Sequence, residues 1–213
     1  IAIMAIGGPL IATHIYENNH QQLGYLYRSS TSLMLVLGVL LFILAITNLP
    51  DIYLLMKNGN IYATGFAVFL FLGLARLIDL ATGLNTAIIT YSPHYKVMLY
   101  ATLGLGVLNF IMNYFLIHRY NIQGAAISTL ISITLFNIYK IWFVYRKYKI
   151  LPFERRQWKI LPLFIFCMMP MFLPLHFKPV LNILIRGILV LIIYSILAYK
   201  WHISHHLNHF VQK

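Results

Sequence analysis

Arg76 and Asp79 stand in the stretch GLARLIDLATGLN, residues 73 to 85, in the middle of a long apolar run. Three residues apart, they share one face of a helix and can form an ion pair. Gly83 follows on nearly the same face, and Asn85 lies just beyond it. An arginine facing lipid costs at least ~2.5 kcal/mol on insertion scales, so Arg76 is expected to face protein or a wet cavity. Two chemistries fit. A structural ion pair would lock two helices together, whereas a cavity arginine tuned by Asp79 would hold an anionic substrate. The two are compatible, because a pair can position a residue for use.

Other polar residues recur at helical spacing in the apolar segments that follow. Thr102, Gly106, Asn109 and Asn113 form one stripe, which fits either hydrogen bonds between helices or the wall of a hydrophilic cavity. Gly124, Ser128 and Ser132 make a ridge of small residues that suits close helix packing. Arg186 is either an interfacial anchor or a second cavity cation, and the anchor is the simpler reading. Lys140 lies close enough to a span's end to reach the interface with its long side chain.

Catalytic constellations are not evident. His202, His205 and His206 have the H-x-x-H-H spacing of membrane di-iron enzymes, but His14, His20, His94, His118 and His176 are scattered singly. The four carboxylates, Glu17, Asp51, Asp79 and Glu154, are far apart in sequence, which leaves no acidic cluster for a metal or a general base. Neither an enzyme nor a metal or organic cofactor is expected.

Composition names the solvent in which these residues must be held. Of 213 residues, 61% are hydrophobic and 9% charged, far below the roughly one-quarter charged of soluble domains. A formal charge of +12 could suggest nucleic acid, but the basic residues sit in loops between apolar runs. That pattern reflects membrane orientation, so nucleic acid is not an expected partner and membrane lipid is. Cys167 is the single cysteine, so no intramolecular disulfide can form.

The expected fold is therefore all-α, a polytopic membrane helix bundle with about six full spans after a truncated one that ends near Thr13. The first span covers residues 31–48 and is expected to end at Pro50. Just before it, Leu23, Leu26, Tyr27 and Arg28 read as an interfacial half-helix. The second covers 61–90, ~45 Å as one helix against a ~30 Å hydrocarbon core, with Thr82-Gly83 as its weak point. The third and fourth cover 97–117 and 122–143. The fifth, 160–175, should be kinked by Pro162, Pro170 and Pro174, and the sixth, 180–199, starts after Pro179. Residues 1–213 read as one membrane-embedded lobe, the C-terminal part of a longer chain, with 200–213 as a tail.

Ten basic residues on one side, six of them between Arg146 and Lys159, face three on the other: Lys57, Arg119 and Lys178. That asymmetry puts the 144–159 loop and the C-terminus in the cytoplasm.

The stretches GLARLIDLATGLNTAIITYSPHYKVMLY and NYFLIHRYNIQGAAISTLISITLFNIYK resemble the C-terminal region of bacterial polysaccharide flippases. These are the Wzx-type oligosaccharide-lipid transporters of the multidrug/oligosaccharidyl-lipid/polysaccharide exporter superfamily. The family's Arg-x-x-Asp-x-x-x-Gly-x-Asn pattern falls on Arg76, Asp79, Gly83 and Asn85, and its GAA-centred pattern runs from Ile122 to Ser132. A loop motif is matched loosely by Tyr148, Lys149, Pro152 and Phe153. The resemblance covers most of residues 20 to 155 and is weak over the last spans.

It implies two lobes around a central cavity, with the partner lobe preceding Ile1 in the same chain. It implies export of an undecaprenyl-pyrophosphate-linked oligosaccharide, as for O-antigen and lipopolysaccharide synthesis, across the bacterial inner membrane by alternating access. A proton or sodium gradient would drive it. Arg76 is the best-placed substrate-contacting residue, with Asp79 as its partner or a coupling carboxylate and Asn85 on the same pattern; Asn109 and Asn113, from the polar stripe, complete the candidate substrate-binding set. Arginine pairs well with phosphate oxygens. A multidrug cation exporter of the same superfamily or a non-transporting scaffold subunit are the rival readings.

Overall fold

The structure, a computed structural model, describes residues 2–173 and 177–201. Its helices are α1 (Ala2–Tyr16), α2 (His20–Leu55), α3 (Gly59–Ala63), α4 (Phe66–Leu80), α5 (Asn85–Thr90), α6 (Tyr95–Tyr148), α7 (Ile160–Cys167) and α8 (Pro179–Lys200). Tighter 3-10 turns, Arg155–Lys159 and Met169–Phe172, flank α7. No strand occurs among the described residues.

The chain is an all-α membrane helix bundle. Helices α2, α6 and α8 are long and apolar enough to cross a membrane. Leu99, Leu103, Val107 and Phe110 of α6 form an exposed stripe at helical spacing, as do Leu184, Ile188 and Ile192 of α8. Contiguous apolar faces of that kind suit lipid tails and not water.

Helix α6 is two arms. A straight helix would separate Asn109 and Ser128 by ~28 Å, yet the Ser128 hydroxyl donates to the Asn109 carbonyl at 3.2 Å. The chain turns back at Asn121, whose φ of 51° and ψ of −134° are not helical. Asparagine is among the few residues with a side chain that tolerate positive φ. Past the turn, a Cβ on Gly124 would lie 2.0 Å from the Leu116 carbonyl oxygen, so only glycine lets the arms meet so closely. Ser128 and Ser132 continue that buried ridge. Packing thus accounts for the small-residue pattern, and each arm, 95–120 and 122–148, exceeds the ~20 residues a span requires.

The chain divides into two compact units, Ile1–Leu35 with Phe71–Phe153, and Val36–Leu70 with Glu154–Lys213. In the first, short α5 drives Ala87, Ile88 and Ile89 into a core shared with Ile11 of α1, Leu23 and Tyr27 of α2, and Val144 of α6. In the second, the Phe42 ring of α2 stacks with Phe69 of α4 at 6.2 Å and with Phe164 of α7 at 6.1 Å. The Tyr194 hydroxyl of α8 donates to the Val36 carbonyl of α2.

Several expected boundaries are corrected. Leu23 and Tyr27 are buried core residues of a helix continuous with the first span, not an interfacial half-helix, because they join one core with residues of α1, α5 and α6. Pro50 does not end that span; α2 runs on to Leu55. Proline removes one backbone donor, and a helix packed among others survives that loss. The expected second span is interrupted twice. Chain between Ala63 and Phe66 separates α3 from α4, and the anticipated break at Thr82-Gly83 separates α4 from α5. Gly83 has φ of +57°, and its missing Cβ makes room for Thr31 of α2. The expected fifth span is also not one α-helix. Pro170 lacks the N–H that would continue the ladder, and a 3-10 turn replaces it. Pro174, Leu175, His176 and the histidines beyond Trp201 lie outside the described residues.

Candidate functional site

Asp79 lies in the last turn of α4, and the second arm of α6 meets it with Asn137 and Lys140. These two are three residues apart and so share a face. The Asn137 Nδ2 donates to Asp79 Oδ1 at 3.2 Å, and Lys140 Nζ lies 3.7 Å from the same oxygen. Arg76 Nη1 lies 4.0 Å from the other oxygen, Oδ2. One carboxylate thus faces two cations, one on each oxygen.

The two cations differ sharply in exposure. The Lys140 side chain is 2% exposed, that of Asp79 42% and that of Arg76 77%. Lysine is fixed from below: Nζ donates to Thr86 Oγ1 at 3.1 Å and lies 4.3 Å from the centre of the Phe136 ring. Asn137 is fixed as well, for its Nδ2 also donates to the Ile133 carbonyl and its Oδ1 accepts from Thr82 Oγ1 at 2.7 Å. The break after α4 makes this possible. It turns the chain so that Thr82 and Thr86 reach the same α6 arm that an unbroken helix would have carried them past.

Asn85 is 1% exposed, and its Oδ1 accepts from the Thr86 amide at 2.6 Å. Among the described residues its Nδ2 has no hydrogen-bond partner, an uncommon state for a buried donor. Asn109 and Asn113 belong elsewhere. They bond to each other, Asn113 Nδ2 donating to Asn109 Oδ1 at 2.8 Å, on the first arm of α6. No hydrogen bond among the described residues joins them to the Asp79 network. Thr102 and Gly106, on the same stripe, are exposed. The structure therefore brings Arg76 to Asp79, links Asn85 to them only through Thr86 and Lys140, and leaves Asn109 and Asn113 apart.

Lys140 is not an interfacial side chain reaching outward. It points into the bundle because Asp79 and Thr86 together supply the charge and acceptor its ammonium needs. The spacing of Asn137 and Lys140 within an apolar arm was the available signal for it.

The second unit holds a comparable arrangement. Arg186 of α8 contacts Asp51 of α2 through Nη1 and donates from Nη2 to the Leu173 carbonyl at 3.1 Å. One turn earlier, Asn182 Nδ2 donates to Asp51 Oδ1 at 3.1 Å. The two charged side chains are 11% and 6% exposed, so Arg186 is one half of a buried pair and not an interfacial anchor. Here one cation meets one carboxylate and no charge is left over.

The fold and these sites define a polytopic helical membrane protein with charged side chains held inside its bundle. Comparison with protein-family models, with curated proteins and with solved structures gives no match.

Proposed function

We propose that this chain is a lobe of a Wzx-type flippase, which carries an undecaprenyl-pyrophosphate-linked oligosaccharide from the inner to the outer leaflet of the bacterial inner membrane. The observation that carries the reading is the charge count around Asp79: Arg76 and Lys140 contribute two positive charges and Asp79 one negative. The excess cation is the exposed one. A guanidinium offered from an apolar bundle suits a pyrophosphate headgroup, since arginine binds phosphate oxygens with two parallel hydrogen bonds. The resemblance of residues 73–100 and 113–140 to that family agrees with this chemistry.

The 144–159 loop and the C-terminus face the cytoplasm, a second lobe completes the cavity, and an ion gradient drives alternating access. A multidrug cation exporter is disfavoured, because a cationic drug would be repelled by the surplus charge beside Asp79. A scaffold in which the pair only locks helices is disfavoured by the exposure of Arg76, which a lock would bury.

Reconstitution of the intact protein in liposomes tests the reading. Wild-type protein should move a lipid-linked oligosaccharide between leaflets, and Arg76→Ala should abolish that movement while remaining monodisperse. Transport by Arg76→Ala at the wild-type rate would overturn it.

A further inference from the structure

We infer that Lys140 is a positioning residue for Arg76: by holding the Asp79 carboxylate from its buried side, it leaves the guanidinium charge free for an anionic headgroup. The inference rests on the anion-carrier reading and assigns the residue that makes it work.

Arg76 and Asp79 are three residues apart on one helix face, the spacing at which opposite charges neutralise each other. An arginine spent on its own neighbour would offer a phosphate little. In the structure that contact is at the outer limit of an ion pair, 4.0 Å, and uses only Oδ2. Oδ1 is taken by groups on α6: Lys140 at 3.7 Å and the Asn137 amide at 3.2 Å. Both holders are themselves held, Lys140 by Thr86 and the Phe136 ring, Asn137 by Thr82 and the Ile133 carbonyl. The carboxylate is thus tethered toward the protein interior by partners that cannot follow Arg76 outward.

Burial assigns the roles. At 2% exposure Lys140 cannot reach a headgroup while it stays on Asp79, whereas Arg76 at 77% can. Lysine acts through the carboxylate and arginine on the ligand. Remove the ammonium, and Asp79 has one cation left, its helix neighbour. The pair then closes and the site becomes neutral.

Binding of a short-chain polyprenyl pyrophosphate to the intact protein in lipid nanodiscs tests this, with the uncharged polyprenol as reference. Lys140→Met should weaken pyrophosphate binding about tenfold or more, the loss of roughly one charge-assisted contact, and leave polyprenol binding unchanged. Lys140→Arg should retain affinity. The double variant Lys140→Met with Asp79→Asn has no lone charge at this position and should fold even if the single variant does not. It should bind pyrophosphate like the wild type, because Arg76 is again unopposed, and adding Arg76→Ala should abolish that binding. A folded double variant that binds no better than Arg76→Ala would overturn the inference, since Lys140 would then contact the headgroup itself. Wild-type protein that does not distinguish pyrophosphate from polyprenol would instead overturn the anion-carrier reading on which the inference stands.

Discussion

Lys140 and Asp79 face each other at 3.7 Å between α6 and α4, the lysine 2% exposed and the carboxylate 42%. Arg76 shares that carboxylate from the outside, so Asp79 is a branch point between a buried cation and an accessible one. Losing the outer cation and losing the carboxylate itself therefore have unequal effects on stability.

Arg76→Ala should cost under about 1 kcal/mol of stability, as expected for an exposed pair, because Asp79 keeps Lys140 and Asn137. Asp79→Ala should cost more. It strands a buried ammonium, and broken buried pairs lose ~3–5 kcal/mol, with the lower end expected because Asp79 is itself partly exposed. Thermal unfolding of both variants in detergent checks the order, and a larger loss for Arg76→Ala would contradict the geometry.

Two glycines distinguish the α6 hairpin from an open helix face. An added methyl at Gly124 would meet the Leu116 carbonyl at 2.0 Å, whereas at Gly187 of α8 nothing lies within 4 Å. Gly124→Ala should force the arms apart and lose about 1–3 kcal/mol, as overpacking does. Gly187→Ala should be neutral or slightly stabilising, since alanine is the better helix former. Folded yield and melting temperature read both, and equal effects would count against close contact between the arms.

The pair in the second unit should behave as a lock. Arg186→Met leaves Asp51 buried with the Asn182 amide as its remaining polar contact in the network described, and should destabilise by ~3–5 kcal/mol. Arg186→Met with Asp51→Leu removes both charges and should recover most of that stability. Headgroup affinity should not follow these changes once the protein is folded. A double variant as unstable as the single one would show that Asp51 and Arg186 are not each other's partners.

Orientation is tested with cysteines. The native Cys167 is buried with 0% exposure and should give no background. A cysteine replacing Lys147 should react with an impermeant thiol reagent only in inverted or permeabilised membranes, and one replacing Lys178 should react from outside intact cells. Labelling in the opposite pattern would reverse the assigned topology.

Much of this organisation follows from local chemistry and was legible in sequence. Apolar runs of spanning length imply a membrane bundle without any knowledge of packing. Pro179 at the first turn of α8 and the break at Thr82-Gly83 are set by residues that act on their own backbone. The Arg76–Asp79 contact depends only on helix periodicity. Other features required tertiary structure, because each involves a partner distant in sequence. Asn137, three residues before Lys140, marks a polar face on that arm, but only Asp79 and Thr86, 61 and 54 residues away, decide that the lysine turns inward and not toward the interface. Arg186 is a buried partner and not an anchor because of Asp51, 135 residues earlier. Leu23 and Tyr27 look interfacial until α1, α5 (a helix of six residues) and the end of α6 join them in one core. Helix periodicity shows which side chains share a face, but what that face meets is set by chain that folds back from elsewhere.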